Sequence, residues 1–158
     1  MEIKGIIDED FINYRVPSMV VEFPHCNFKC DKECGRQVCQ NSELAAAPAI
    51  DIYAEEIVDR YLNDDITSAL VCQGLEPFDS WEDLLLLCTI FRLYTSDPIV
   101  IYTGYNENEI KDKVDILQKW IYNFIIKYGR YIPDQESHLE PLLGVELASH
   151  NQYAVYYR

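Results

Sequence analysis

Four short apolar runs recur along the chain, and amphipathic segments separate them. The first, Met19 to Phe23, is apolar except for Glu22 and ends at Pro24. Ser68 to Cys72, Ile99 to Tyr102 and Tyr122 to Lys127 repeat that character. Continuous rather than alternating apolar runs of this length predict strands covered on both faces, as in a parallel sheet. Between them, a helix is predicted from Asp51, with Tyr53, Ile57, Val58, Tyr61 and Leu62 on one side. A second, capped by Asp79 or Ser80, carries Trp81, Leu84 to Leu87, Ile90, Phe91 and Leu93 and is apolar nearly all round, which predicts deep packing. A third starts at Asn106, with Glu109 three residues on in a capping-box arrangement.

Strand, helix, strand, helix, strand, helix, strand predicts an α/β fold of right-handed βαβ units. Residues 1–17 read as an N-terminal arm, extended from Gly5 to Asn13, and residues 18–158 as a single domain. The stretch from Pro133 to Gly144 reads as irregular, and Tyr153 to Tyr157 as a last strand.

Composition narrows the class. With 158 residues and 49% apolar content, the chain can bury one core. A formal charge of −14 opposes binding to a phosphate backbone, so no nucleic-acid partner is expected. No apolar run approaches the roughly 20 residues of a membrane span, and no membrane partner is expected. No leader pattern is visible, so the expected location is the reducing cytoplasm, where thiols stay free.

The chemistry concentrates after the first strand. Cys26, Cys30, Cys34 and Cys39 fall within fourteen residues. Thiolates at such gaps suit zinc or an iron–sulfur cluster, and the spacing alone does not choose between them. A disulfide framework is the plainer alternative, disfavoured in a chain this large. Cys72 and Cys88 lie in a predicted strand and helix and read as small buried hydrophobes. His25 reads as a hydrogen-bonded loop residue. Two further segments also follow predicted strands, Gly74-Leu75-Glu76-Pro77 and Thr103-Gly104-Tyr105. In a parallel sheet the C-terminal strand ends share one rim, so the three segments are predicted to converge there.

The ordered set of cysteine loop, Gly-Leu-Glu-Pro and Tyr102-Thr-Gly-Tyr105 resembles the radical S-adenosylmethionine (SAM) superfamily. More narrowly it resembles the short activating enzymes of anaerobic ribonucleotide reductase. The resemblance runs from about Ser18 onward and includes Lys127-Tyr-Gly-Arg130 and Ser149-His-Asn-Gln152. It implies an incomplete (β/α) barrel of parallel strands and a [4Fe–4S] cluster held by three cysteines. It also implies reductive cleavage of SAM to a 5′-deoxyadenosyl radical, which takes a hydrogen atom from a glycine of a larger glycyl-radical enzyme. An electron donor such as flavodoxin or ferredoxin is implied as well.

Carried over residue by residue, the ligands are Cys26, Cys30 and Cys39, the last in Cys39-Gln-Asn41. Asp31 to Val38 is then an inserted loop, and Cys34 is the alternative third ligand. Gly74, Leu75, Glu76, Pro77, Tyr102, Thr103 and Asn41 are the implied SAM-binding residues. Leu75 stands where the family has a second glycine, and Val38 where it often has an aromatic residue. Without the family's chemistry, the same residues describe a non-catalytic iron–sulfur or zinc module. A radical SAM enzyme with another substrate is the third reading.

Overall fold

The computed structural model describes residues 1–158. In chain order the elements are β1 (Glu2–Ile3), β2 (Gly5–Asp10), β3 (Ser18–Phe23), α1 (Lys29–Cys34), α2 (Ser42–Ala46), β4 (Ile50–Asp51) and α3 (Ala54–Leu62). There follow β5 (Leu70–Gly74), α4 (Trp81–Tyr94), β6 (Ile99–Tyr102), α5 (Lys111–Trp120), β7 (Phe124–Tyr128), β8 (His138–Glu140), β9 (Val145–Leu147) and β10 (Tyr153–Tyr157).

One six-stranded sheet, in the order β10-β7-β6-β5-β3-β2, carries the fold. β3, β5, β6 and β7 are parallel neighbours. β2 and β10 close the two edges antiparallel. The α/β class and the mostly parallel sheet therefore match expectation. The sheet is mixed, however, and its edges do not pair with each other, so no closed barrel is seen. The expectation of parallel strands alone is thereby corrected: the antiparallel β2 and β10 flank the four parallel strands. Residues 1–17 supply the edge strand β2 and also β1, which pairs with β4.

Each parallel strand lies beside the one before it in the chain. Right-handed crossovers in such a singly wound sheet put every connecting helix on the same face. The larger core follows that rule. Ile57, Leu87 and Leu117 of α3, α4 and α5 pack with Val21, Cys72, Ile101 and Ile126 of the strands. The alternate strand residues Val20, Val71, Val100 and Ile125 form a second core on the opposite face. No long helix covers that face; Tyr14, Leu143 and Leu147 do. Burial on both faces is why the four strands read as unbroken apolar runs.

Three further expectations are corrected. α3 begins at Ala54, because Asp51 belongs to β4, and Tyr53 and Leu62 are exposed. α4 buries Leu84, Leu87, Cys88, Ile90 and Phe91 but exposes Leu86, Leu93 and Tyr94. An outer-layer helix has one neighbour to pack on, so deep burial all round is not available to it. The segment expected to be irregular contains β8, which pairs antiparallel with β9 just beyond it. The Asn106–Glu109 capping box does form, on a 3-10 turn just before α5.

The two faces of α4 make a direct test. Leu87 is fully buried and Leu86 is 46% exposed. Leu87→Ala is expected to cost about 2–5 kcal/mol, whereas Leu86→Ala should stay within about 0.5 kcal/mol. Denaturant midpoints of the two variants measure the difference.

Candidate functional site

Because β3, β5, β6 and β7 run the same way, their C-terminal ends meet at one edge. A cavity of about 360 Å³ lies there, within the roughly 300–1,000 Å³ range of small-molecule sites. Cys26, Cys30, Cys39 and Asn41 line it from the segment after β3. Gly74, Leu75 and Glu76 line it from the end of β5, and Tyr102 and Thr103 from the end of β6. Two of the expected residues lie elsewhere. Pro77 is buried at the start of a 3-10 turn, and Cys34 is on α1 away from the cavity wall. A fourth segment, Lys127 to Tyr131 at the end of β7, contributes Lys127, Gly129 and Arg130. The sequence marked this segment as a strand and turn without giving Lys127 a role.

Glu76 is the electrostatic centre of the rim. It is only 4% exposed. One carboxylate oxygen accepts from Thr103 Oγ1 at 2.8 Å and from the Phe78 amide at 3.2 Å; the other accepts from the Gly104 amide at 2.8 Å. Burial pushes the carboxyl up to about 7, outweighing the three hydrogen bonds, and the charge of Asp79 adds to the rise. Lys127 is shifted toward its neutral form as well. Burial lowers its ammonium to about 8, against the pull of Glu76. Its Nζ donates to the Gly129 carbonyl at 3.0 Å. An ammonium has three donors, so Lys127 can also serve an anionic group in the cavity.

Hydrogen bonds lace the segments together. The Leu75 amide donates to the Phe23 carbonyl at 3.1 Å and the Glu76 amide to the His25 carbonyl at 2.9 Å. Asn41 Nδ2 donates to the Gly74 carbonyl at 2.7 Å. Gly74 has φ +105, and a Cβ there would lie 2.7 Å from the Phe23 amide nitrogen, so only glycine fits. Asp79 accepts from the Asn27 amide at 2.9 Å and from the Tyr105 hydroxyl at 2.6 Å; Asn27 Nδ2 in turn donates to Tyr105 Oη at 2.5 Å. This triangle joins the cysteine loop, the Glu-Pro turn and the Thr-Gly-Tyr turn. Sequence reasoning took Asp79 only as a helix cap and had no signal for Asn27, since neither contact follows a period.

Among the thiols, Cys26 is pushed up to about 12, mainly by burial. The Phe28 amide, 3.2 Å from its sulfur, opposes this rise, while the charges of Glu76, Asp79 and Cys30 add to it. Cys30 is raised by burial first and then by neighbouring Cys39 and Asp31. Thiols of this kind stay protonated at neutral pH until a cationic metal group draws off the proton. Three soft donors on one cavity wall fit a thiolate-bound metal group in their chemistry. No three His, Cys, Asp or Glu side chains stand as a ready coordination set for one ion. A single zinc ion holds its thiolates about 3.8 Å apart, given the Zn–S bond length. Cluster cysteines each bind a separate iron and stand farther apart.

His25 turns outward, with Nε2 3.3 Å from Glu2 Oε2. Cys72 and Cys88 are fully buried in the larger core. No helix is long and apolar enough to cross a membrane. No family model, no curated protein and no solved structure matches the chain.

Two predictions come from this geometry. The carboxyl of Glu76 rises from 4.5 unfolded to about 7 folded, so the folded state binds the extra proton. Its contribution to stability is full below pH 4.5 and is lost as pH climbs to about 7. Glu76→Gln should flatten that part of the stability–pH profile of the metal-free protein, read by denaturation at a series of pH values. Gly74→Ala should lower stability by about 2 kcal/mol or more, from backbone strain and the clash with β3; a thermal melt measures it.

Proposed function

We propose that this chain is an iron–sulfur, SAM-dependent activase that installs a glycyl radical on a larger enzyme such as anaerobic ribonucleotide reductase. On this reading the open sheet is an incomplete barrel of the radical SAM type. One observation carries the reading: Cys26, Cys30 and Cys39 line the same cavity as Gly74, Glu76 and Thr103, while Cys34 does not. Three motifs far apart in sequence thus meet where the resemblance requires them to meet. A structural zinc site would need the cysteine loop alone.

When bound at Cys26, Cys30 and Cys39, a [4Fe–4S] cluster would supply the electron for reductive cleavage of SAM. The remaining tasks fall to the chain. Glu76, costly to ionise in isolation, gains most from a cationic ammonium such as the amino group of SAM. The ammonium of Lys127 balances a carboxylate. Gly74, with no side chain, lets a ligand approach the backbone closely. Asn41 holds the Gly74 carbonyl and so fixes the end of the cysteine loop against β5. A protein-borne glycine cannot diffuse in freely, so the larger enzyme must present it at the rim. A flavodoxin or ferredoxin would deliver the electron.

A non-catalytic iron–sulfur or zinc module is the second reading. Leu75 in place of a glycine favours it, as does the altered spacing to the third cysteine. Anaerobic reconstitution with iron and sulfide, followed by reduction and addition of SAM, separates the two. The activase yields 5′-deoxyadenosine with about four irons per chain. A coloured protein that forms none is the binding module, and tight zinc without a cluster overturns the iron–sulfur chemistry. Cys26→Ala, Cys30→Ala and Cys39→Ala should each abolish product, while Cys34→Ala should keep it. Equal loss in all four variants would overturn the ligand set.

A further inference from the structure

The nine-residue step from Cys30 to Cys39 poses a steric problem. Cys30 sits in the first turn of α1, and the chain runs away through Cys34 to Gly35, which ends the helix with φ +66. Cys34 is one helical turn beyond Cys30, closer along the chain and better placed by spacing alone to be its neighbour. Yet Cys39, not Cys34, reaches the cavity wall. Something must bring the loop back.

Asp31 does so. One carboxylate oxygen, Oδ1, accepts from the Val38 amide at 2.7 Å and from the Cys39 amide at 2.8 Å. Cys30 Sγ lies 3.9 Å from the same oxygen. Among the hydrogen bonds of this loop, only these two join the Cys30 limb to the Cys39 limb. The loop's other ties lead elsewhere. Glu33 pairs with Arg130 at 3.2 Å, Arg36 with the exposed Asp134 at 3.5 Å, and Gln37 Nε2 donates to Ser42 Oγ at 2.9 Å. Asn41, two residues beyond Cys39, is anchored separately to the Gly74 carbonyl, and none of these contacts joins Cys39 to the Cys30 limb.

We propose that Asp31 is the positioning residue that selects the third thiol. By gripping the Val38 and Cys39 amides it sets Cys39 beside Cys30 on the cavity wall and leaves Cys34 outside. That Cys39 then serves as third cluster ligand rests on the activase reading; the positioning itself does not. The grip needs an acceptor oxygen at Oδ1, which asparagine also supplies, so Asp31→Asn should retain it and Asp31→Ala should release it. Asp31 lies on α1, outside the two cores, so neither variant removes a core contact.

The test uses the metal-free, reduced protein. Brief oxidation with diamide joins neighbouring thiols, and peptide mapping identifies the pairs. In the native chain and in Asp31→Asn, Cys30–Cys39 pairing should exceed Cys30–Cys34 pairing. In Asp31→Ala that ratio should fall by about fivefold or more, and the Val38 and Cys39 amides should exchange hydrogen about tenfold faster, as expected for loss of a charge-assisted hydrogen bond. Unchanged pairing and exchange in Asp31→Ala would overturn the proposal. So would an Asp31→Asn variant that behaves like Asp31→Ala, since the acceptor geometry would then not be the cause. Neither readout involves iron or SAM. A chain that passes here but makes no 5′-deoxyadenosine refutes the activase and leaves the clasp standing; the opposite pair of results refutes the clasp alone.

Discussion

A carboxyl group buried among three hydrogen-bond donors is normally held low, yet Glu76 stands at about 7. Desolvation outweighs the donors. The rise from 4.5 corresponds to about 3 kcal/mol against the charged form. Lys127, at about 8, and Cys26, at about 12, are moved in the same sense, each toward its neutral form by burial. The cavity therefore holds an acid, an amine and a thiol that are all costly to ionise as they stand. A cationic group near Glu76 and an anionic group near Lys127 would each favour the charged form, and a metal group at the thiols would do the same for Cys26. Ionisation at this rim is thus coupled to the charge of whatever occupies the cavity.

That electrostatic arrangement depends on the topology. Glu76 takes its donors from its own turn and from the turn after β6, so its position is set by two adjacent parallel strands at once. The cysteine loop is tied in by Asn27 through Tyr105 and Asp79. A charged chain adds a second tie. Lys29 and Arg130 both reach Glu109, at 2.9 and 2.5 Å, and these contacts, Arg130 first, hold that carboxyl down at about 2. Arg130 also faces Glu33 on α1. In a chain of formal charge −14, two of its thirteen basic residues are thus used to fasten the cysteine helix to the turn before α5. The fastening is salt-sensitive where exposed, whereas the contacts of Glu76 are buried and are not.

What could be read from the sequence follows from range. The four parallel strands were legible because burial on both faces leaves an apolar run that needs no long-range knowledge. The convergence of the cysteine loop, Gly74 to Glu76 and Thr103 was legible because parallel pairing forces strand ends together. The mixed character of the sheet was not, since β2 and β10 give no local sign of pairing antiparallel. Exposure of Leu86 and Leu93 was hidden because an apolar helix surface does not say how many neighbours it has. Spacing left Cys34 and Cys39 open as the third thiol. Only the fold shows which one faces the cavity, through a carboxylate at Asp31 that grips amides seven and eight residues ahead. Lys127 was visible as a residue of a strand, but not as a buried amine.

Gly74 and Leu75 stand side by side in the turn that presents Glu76, and the backbone distinguishes their tasks. Positive φ is needed at Gly74 and not at Leu75, so the turn forms without a second glycine. The Leu75 amide already donates to the Phe23 carbonyl, which removes it as a donor to a ligand whether the side chain is leucine or hydrogen. What the leucine adds is a side chain on the cavity wall. The leucine side chain therefore acts on the shape and polarity of the cavity beside Glu76, and not on the turn that presents the carboxylate. Leu75 thus belongs to the wall of the cavity and Gly74 to the architecture on which Glu76 depends.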